Sequence, residues 1–245
     1  FLIKKISAFF PRKINRILIK FLKPKIKDPV LNYLCVNHKR LNDIKFLDIG
    51  CGSGVSTNFW GSKSAIIPLS KKIEVFGVEP SYEARKILLS NNIFTFQDIN
   101  ELDNHYEFDI IRLNWSLEHV HSPSKYFEFI KNRLSRNGIA VICVPNADGL
   151  LYRINPCALE LPVHLYHFDI NSLTNYAHKF NLRICQYLTF SYPEMYLFAE
   201  KIGLINKKYN FNSMNLQKAY DFQKFHKCLD DTGIGNDILL ILEKK

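Results

Sequence analysis

Apolar and polar residues are distributed in two different patterns along residues 44–146. Short runs that are apolar at almost every position are separated by longer stretches in which apolar residues recur at helical spacing. Apolar strands that alternate with helices are typical of a parallel sheet covered by helices on both faces. The predicted strands of this region are 44–50, 73–80, 93–99, 108–115 and 138–146.

The chain after residue 146 follows a different pattern. Residues 181–192 and 237–245 read as two further strands, and no helical pattern stands immediately before the second. A final strand that enters antiparallel is the simplest interpretation. Residues 193–232 are mixed polar and aromatic, and we interpret them as a substrate-side insertion. The expected fold class is α/β: a doubly wound, mostly parallel, seven-stranded Rossmann-like sheet with an antiparallel last strand.

Two local signals predict helix boundaries. Ser81 precedes an amphipathic stretch and suits a helix N-cap, because its hydroxyl can accept from an unpaired backbone N–H. Gly138 ends the segment RLSRNG, which reads as a helix exit with glycine in the left-handed cap.

Positive charge is concentrated at the beginning of the chain. Residues 1–27 hold nine Lys and Arg and no Asp or Glu, which leaves 24 basic and 23 acidic residues in the rest. Because that body is nearly neutral, no nucleic-acid partner is expected. Apolar residues of the segment recur at helical spacing and predict an amphipathic helix, which could lie on an anionic membrane surface or pack against its own domain. The expected organisation is a basic helical arm, residues 1–42, and one α/β domain, residues 43–245.

The six cysteines are scattered and form no C-x-x-C pair. This spacing argues against a zinc knuckle or a dense disulfide framework, and it fits a reducing cytosol. We therefore expect a cytoplasmic protein, peripheral to the inner membrane face if the arm binds lipid. The oligomeric state is left open.

The most informative motif is FLDIGCGSG, residues 46–54. Glycines at alternate positions between a strand and a helix let the backbone turn tightly and approach a ligand. Glu79 ends the next strand, where a carboxylate can accept hydrogen bonds from both hydroxyls of a ribose. The spacing lacks the third glycine of the dinucleotide fingerprint, since Val55 stands there. Asp48 adds negative charge, which suits an ammonium or sulfonium group better than a pyrophosphate.

Several segments resemble the class I, or seven-stranded, S-adenosylmethionine-dependent methyltransferases. They are most similar to its small-molecule branch, typified by ubiquinone-biosynthesis O-methyltransferases and methyltransferases of surface-polysaccharide gene clusters. The resemblance covers residues 43–190 and the final strand. It implies S-adenosyl-L-methionine as cofactor and methylation of a sugar, glycan precursor or quinone-type metabolite, most simply on oxygen. The segments are FLDIGCGSG, VFGVEPS, FDIIRLNWSLEHVHSP, LSRNGIAVICVPN and HLYHFDINSL.

The resemblance also implies roles for individual residues. Asp48 would orient the loop and the methionine amino group, and Glu79 would bind the ribose with Pro80 packed on the adenine. Asn114 would offer its carbonyl beside the methyl donor. The full set expected to contact the cofactor is Asp48, Gly50, Cys51, Gly52, Gly54, Glu79, Pro80, Asp98, Ile99 and Asn114.

Histidines follow the fourth and fifth strands, whose carboxyl ends face the donor methyl in this fold. We expect His119, His164 or His167 to act as the base that removes a proton from an acceptor hydroxyl. Glu118 and His119 are adjacent, and adjacent helical residues point about 100° apart, so the pair alone makes a poor chelate. No metal is therefore expected.

Three other functions stay open at this point. A nucleic-acid methyltransferase would suit the basic arm, but Asn114-Trp115-Ser116-Leu117 stands where an N-P-P-Y or D-P-P-Y motif would follow the fourth strand. A nicotinamide-dependent oxidoreductase is disfavoured by the glycine spacing. A non-catalytic binding protein could keep the same fold.

Overall fold

The computed structural model describes residues 30, 33, 44–54, 73–155, 160–192, 195, 199, 201–203 and 216–245. The chain divides into two compact units, Phe1–Leu41 and Asn42–Lys245. The amphipathic helix predicted in residues 1–27 lies outside the described residues. The division into a helical arm and a catalytic domain stays a prediction.

A single seven-stranded sheet organises the described part of the second unit. Its strands are β1 (Ile44–Ile49), β2 (Ile73–Val78), β3 (Phe94–Phe96), β4 (Phe108–Asn114), β5 (Leu134–Pro145), β6 (Leu182–Phe190) and β7 (Asp237–Lys244). They lie in the order β3-β2-β1-β4-β5-β7-β6. Strands β1 to β5 pair in parallel, and β7 pairs antiparallel with both β5 and β6. The predicted fold class is confirmed.

Helices connect and flank these strands. Those described are α1 (Tyr82–Ser90), α2 (Pro123–Arg133), α3 (Leu150–Ile154), α4 (Ile170–Lys179) and α5 (Leu216–Asp231), with short 3-10 helices at Ile99–Glu101 and Leu117–His119. Ser81 caps α1 as predicted, since its Oγ accepts from the Ala84 amide at 3.4 Å. Among the described residues, no helix combines the length and apolar character that a membrane crossing needs.

The core lies along the central strands and fixes their carboxyl ends. Phe46 and Leu47 of β1 face opposite sides of the sheet, and both are fully buried. Ile110 and Ile111 of β4 are buried in the same way. Because helices cover both faces, these strands have no polar face, as the near-continuous apolar runs predicted. The loops that follow β1, β2 and β4 therefore start from rigid positions.

The predicted cap at Gly138 is wrong. Helix α2 ends at Arg133, β5 begins at Leu134, and Gly138 lies inside the strand. A Cβ at this glycine would lie 2.9 Å from the carbonyl oxygens of both Phe108 and Asp109. The β4–β5 register shifts between Phe108 and Ile110. Glycine is therefore required because the backbone of β4 comes very close to this position where the strand pairing is irregular. It does not serve as a left-handed residue that ends a helix.

Candidate active site

The glycine loop follows β1 and lies against the end of β2. Gly50, Gly52 and Gly54 all have positive φ, at 73°, 55° and 81°, a region that side chains disfavour. The Gly50 amide donates to the Val78 carbonyl at 2.8 Å. A Cβ on Gly50 would lie 2.4 Å from the Ser116 Cβ, so the loop also packs closely on the segment after β4. The sequence predicted both the loop and its position.

Glu79 stands one residue beyond β2 and contacts the loop directly. Its Oε2 accepts from the Gly52 amide at 2.8 Å, and its Oε1 accepts from the Ser81 amide at 2.9 Å. The Arg85 guanidinium holds the backbone here by donating to the carbonyls of Glu79 and Pro80 at 2.7 and 2.6 Å. Each carboxylate oxygen keeps a further lone pair that could accept from a ribose hydroxyl, and this role of Glu79 stays a prediction.

Other residues of the predicted cofactor set lie at the same edge. Asp98 follows β3, and its side chain caps the next turn by accepting from the Asn100 amide at 2.9 Å. Ile99 is buried beside it. The Cys51 thiol is buried against Val78, and burial raises its pKa to about 12. The Cys51 side chain therefore belongs to the core, and the predicted contact of this residue with the cofactor stays a prediction.

The Asp48 carboxylate is paired with Arg112, a contact that the sequence did not predict. Arg112 of β4 donates from Nε to Oδ1 at 2.9 Å and from Nη2 to Oδ2 at 2.6 Å. Both residues are buried, and the guanidinium lies 5.2 Å from the centre of the Phe46 ring. Asp48 thus ties β1 to β4 beneath the loop. The sequence signal was a lone arginine in the apolar run FDIIRLN, which faces Asp48 in the strand register.

The chain leaves β4 through a constrained turn. Asn114 is the last residue of the strand, and Trp115 has a φ of 50°, which is rare for an aromatic residue. The Trp115 amide donates to the Cys143 carbonyl of β5 at 2.8 Å. The next side chain, Ser116, donates to the Ile49 carbonyl at 2.8 Å. Both ends of the turn are thereby tied to neighbouring strands.

Histidines predicted as bases lie together on this side of the sheet. The rings of His119 and His164 are 4.9 Å apart, and those of His164 and His167 are 6.3 Å apart. His119 is half-exposed, with its Nδ1 3.1 Å from the Val163 carbonyl. His164 is buried, which lowers its pKa, and its Nε2 lies 3.5 Å from Glu160 Oε2. The structure brings the three together, and their catalytic role stays a prediction.

Glu118 is the residue of this region whose importance the sequence did not reveal. It is only 1% exposed, and neither carboxylate oxygen has a hydrogen-bond partner among the described residues. Burial raises the pKa of its carboxyl to about 7. Its backbone carbonyl accepts from the Leu165 and Tyr166 amides at 2.8 and 3.2 Å. The segment after β5 is therefore attached to the short helix after β4.

Glu118, His119 and His164 offer one oxygen or nitrogen each, and these atoms all lie within 4.8 Å of one another. This grouping could hold a cation. Glu118 and His119 are adjacent in the sequence, whereas His164 comes from the segment after β5, and no sequence pattern brings it near them. The expectation that no metal binds stays a prediction.

A second buried acid lies at the same edge. Asp237, the first residue of β7, accepts from Trp115 Nε1 at 3.0 Å and from the Tyr192 hydroxyl. It is 3% exposed, and burial raises its pKa to about 6. The residue pairs with Pro145 at the carboxyl end of β5, so its side chain reaches the end of the sheet that carries the glycine loop. In the sequence, Asp237 could be noticed because it stands at the start of the apolar run DILLIL.

The sheet order, the glycine loop and Glu79 together define an α/β nucleoside-binding domain. The methyltransferase domain family matches residues 4–187, and the chain belongs to this family. Its cofactor is S-adenosylmethionine, as the sequence predicted.

Sequence relatives agree with the family. The ubiquinone biosynthesis O-methyltransferases of two Rickettsia bellii strains are 26% identical over 155 residues, which is 60% of this chain and 58% of theirs. The match therefore spans little more than half of the length of these relatives.

Solved structures share the fold. An S-adenosylmethionine-dependent methyltransferase from Archaeoglobus fulgidus is 18% identical with a TM-score of 0.54, covering 93% of this chain and 98% of that one. Phosphoethanolamine N-methyltransferase 2 of Haemonchus contortus, solved with S-adenosyl-L-methionine, is 18% identical with a TM-score of 0.55. That alignment covers 89% of this chain and 52% of the other. At such low identities the likeness shows the fold alone.

Proposed function

We propose that this methyltransferase acts on a hydroxyl group of a small molecule, either a sugar or glycan precursor or a quinone-type phenol. The observation that carries the proposal is the cluster of Glu118, His119 and His164 at the carboxyl edge of the sheet. It begins two residues after Ser116, whose side chain packs on the glycine loop. Polar groups that can handle a proton thus stand beside the cofactor loop. The R. bellii O-methyltransferases support a hydroxyl acceptor.

Each part of the site has a distinct task in this reaction. Bound S-adenosylmethionine supplies an electrophilic methyl group on a sulfonium. Glu79 and the backbone of the glycine loop would hold the nucleoside, and Asn114, the last residue of β4, would lie beside the methyl donor. The acceptor hydroxyl faces the cluster, so its oxygen is aligned for in-line attack. Its proton passes to one of the predicted bases, His119, His164 or His167.

The segment after β5 is attached to the short helix after β4. The amides of Leu165 and Tyr166 bond to Glu118, and the Tyr166 hydroxyl donates to the His121 carbonyl at 3.0 Å. These bonds hold the segment that carries His164 and His167 against the short helix that carries His119.

The test is a methyl-transfer assay that measures S-adenosylhomocysteine release and the mass of the product. Acceptor sets would include catechols, nucleotide sugars, primary amines, and single-stranded DNA and RNA. The proposal expects O-methylated products from one hydroxyl set. Turnover confined to amines or to nucleic acid would refute the hydroxyl acceptor. Tight S-adenosylmethionine binding without any turnover would favour the non-catalytic alternative.

A further inference from the structure

An exposed tryptophan stands at the carboxyl edge of the sheet, next to the cofactor loop. Trp115 follows Asn114, the last residue of β4, and it precedes Ser116, whose side chain packs on the glycine loop. Trp115 is 43% exposed. We infer that its indole is the platform on which a pyranose ring of the methyl acceptor stacks, with Asp237 as the residue that positions the indole. This inference rests on the proposed hydroxyl acceptor.

The backbone of Trp115 is held in a conformation that an aromatic residue rarely adopts. Its φ is 50°, and its amide donates to the Cys143 carbonyl of β5 at 2.8 Å. Such a conformation costs free energy, and the residues that keep it concentrate at active sites and ligand-binding sites. A large apolar side chain that is kept exposed at this position therefore indicates a ligand as its partner.

The indole is fixed by a hydrogen bond at its polar edge. Its Nε1 donates to Asp237 Oδ2 at 3.0 Å, and the Tyr192 hydroxyl donates to the same oxygen. Asp237 is buried, and its backbone lies in register with Pro145 of β5, so the anchor belongs to the sheet. Because the N–H is bonded, the exposed part of the side chain is apolar. A ligand that stacks on this ring does not have to order it first.

Buried carboxylate oxygens near the platform favour a sugar over a phenol. Neither oxygen of Glu118 has a hydrogen-bond partner in the described part of the chain, and the two bonds to Asp237 both end on Oδ2. Burial raises the pKa of Glu118 to about 7, and the charge of Asp237 adds to this rise, so the two carboxyls lie close enough to interact. A pyranose presents C–H groups on its face and several hydroxyls at its edge that can donate to these oxygens. A phenol offers fewer donors and would leave more buried oxygens unpaired, which lowers affinity.

The experiment uses tryptophan emission to locate the sugar. The chain has two tryptophans, so Trp60→Phe leaves Trp115 as the single reporter. The full chain with this substitution and with bound S-adenosylhomocysteine is titrated with the methyl pyranosides of glucose, galactose, mannose and rhamnose. We expect a saturable change in emission with at least one of them. Sorbitol has hydroxyls without a ring, tetrahydropyran has a ring without hydroxyls, and neither should change the emission.

Replacement of the indole should weaken binding of the sugar and leave binding of the cofactor intact. Trp115→Leu should lower pyranoside affinity in calorimetry by about tenfold, because the aromatic contact is lost, and Trp115→Phe should lower it less. Binding of S-adenosylhomocysteine shows that each variant is folded. Tyr187→Leu is the control, since it removes an exposed aromatic residue of β6 and should change neither affinity.

Asp237 acts through the indole, and its replacement should have a spectroscopic signature. Asp237→Ala removes the anchor, so it should shift the Trp115 emission of the sugar-free Trp60→Phe chain and also weaken pyranoside binding. Asp237→Asn keeps an oxygen that can accept from Nε1, and it should restore most of both properties. An emission spectrum that Asp237→Ala leaves unchanged would reject the positioning role.

The outcomes separate this inference from the proposed function. No emission change with any pyranoside, or equal pyranoside affinity in Trp115→Leu and the unchanged chain, overturns the inference. Binding of catechol that depends on Trp115, without binding of any pyranoside, overturns the sugar assignment. Pyranoside binding that depends on Trp115, together with methylation of amines alone, keeps the platform and rejects the hydroxyl acceptor. O-methylation of a pyranose with an unchanged KM in Trp115→Leu rejects the platform and keeps the proposed function.

Discussion

Arg112 donates two hydrogen bonds to Asp48, so that the buried carboxylate of β1 is paired with the guanidinium of the neighbouring strand β4 directly beneath the glycine loop. The pair is isolated from water, since the two side chains are 5% and 2% exposed. A buried pair adds less than its Coulomb energy suggests, but breaking it leaves a charge without compensation.

Arg112→Met should therefore destabilise the domain by about 3–5 kcal/mol, because Asp48 would be left buried and unpaired. The double variant Asp48→Leu/Arg112→Met should be clearly more stable than this single variant. Urea unfolding followed by circular dichroism measures both free energies. Arg183→Met is the control, since the Arg183–Glu243 pair has an exposed arginine and should contribute about 1 kcal/mol or less. If the single and the double variant lost the same free energy of unfolding, an unpaired Asp48 would not be the cause of the destabilisation.

Glu79→Ala should weaken the binding of S-adenosylhomocysteine by at least about 100-fold. Two hydrogen bonds to a charged acceptor are lost, at about 1.5–3 kcal/mol each. Calorimetric titration gives the affinity directly. Glu83→Ala removes a carboxylate that is paired with Lys86 on the exposed face of α1, and it should change nothing. An unchanged affinity in Glu79→Ala would remove this residue from the cofactor site.

Asp237→Asn should abolish a gain in folding stability that the wild type shows as the pH falls. Burial raises the pKa of Asp237 from 3.8 to about 6 in the folded state, so the folded state binds a proton more tightly than the unfolded state. The wild type should therefore gain stability relative to the variant as the pH falls from 7 to 4, by about 2–3 kcal/mol. Asp230 and Glu118 have pKa values raised in the same direction, but they are present in both proteins.

Thermal or urea unfolding at several pH values would measure this difference. Asp148→Asn replaces an exposed carboxyl and serves as the matched control. A wild type and an Asp237→Asn variant that respond identically between pH 4 and 7 would show that Asp237 is not the buried acid described above.

Single replacements of His119, His164 and His167 by Ala should identify the base. The histidine that removes the acceptor proton should lower turnover by about 10²–10⁴-fold when replaced, with S-adenosylhomocysteine affinity unchanged. Turnover within about threefold of the wild type in all three variants would exclude catalysis by histidine.

Deletion of residues 1–27 tests the predicted membrane contact. Each Lys or Arg near an anionic surface contributes about 1 kcal/mol, so the deletion should lower sedimentation with vesicles that contain phosphatidylserine. Vesicles of phosphatidylcholine alone are the control for apolar adsorption. Equal sedimentation of both proteins with anionic vesicles would argue for a helix that packs on protein.

Features that depend on neighbours along the chain were predictable from the sequence. The alternation of apolar strands with helices gave the parallel sheet, and Ser81 marked the start of α1 because an N-cap acts within three residues. Glu79 was predictable because the end of a strand next to a glycine loop is fixed by the fold. A glycine that follows a helix suggests a cap, and only the neighbouring strand β4 shows that Gly138 is required by a close backbone approach.

Features that depend on distant segments were not predictable. Arg112 pairs with a residue 64 positions away, and Trp115 reaches an acid 122 positions away. The sequence did not show that the Glu118 carboxylate is buried without a hydrogen-bond partner among the described residues, because this depends on what packs around it. His164 joins it only through the path of the chain after β5, for which the sequence pattern carries no rule.

The position of β7 between β5 and β6 has a consequence for synthesis on the ribosome. Within the described sheet, β6 pairs only with β7, so it has no neighbour until a later segment has been translated. The strands that carry the glycine loop and Glu79 can already pair in the nascent chain, because their partners precede residue 115. Asp237 arrives with β7 and only then secures Trp115. Chain elongation therefore allows the strands that carry the glycine loop and Glu79 to pair before β6 gains its neighbour.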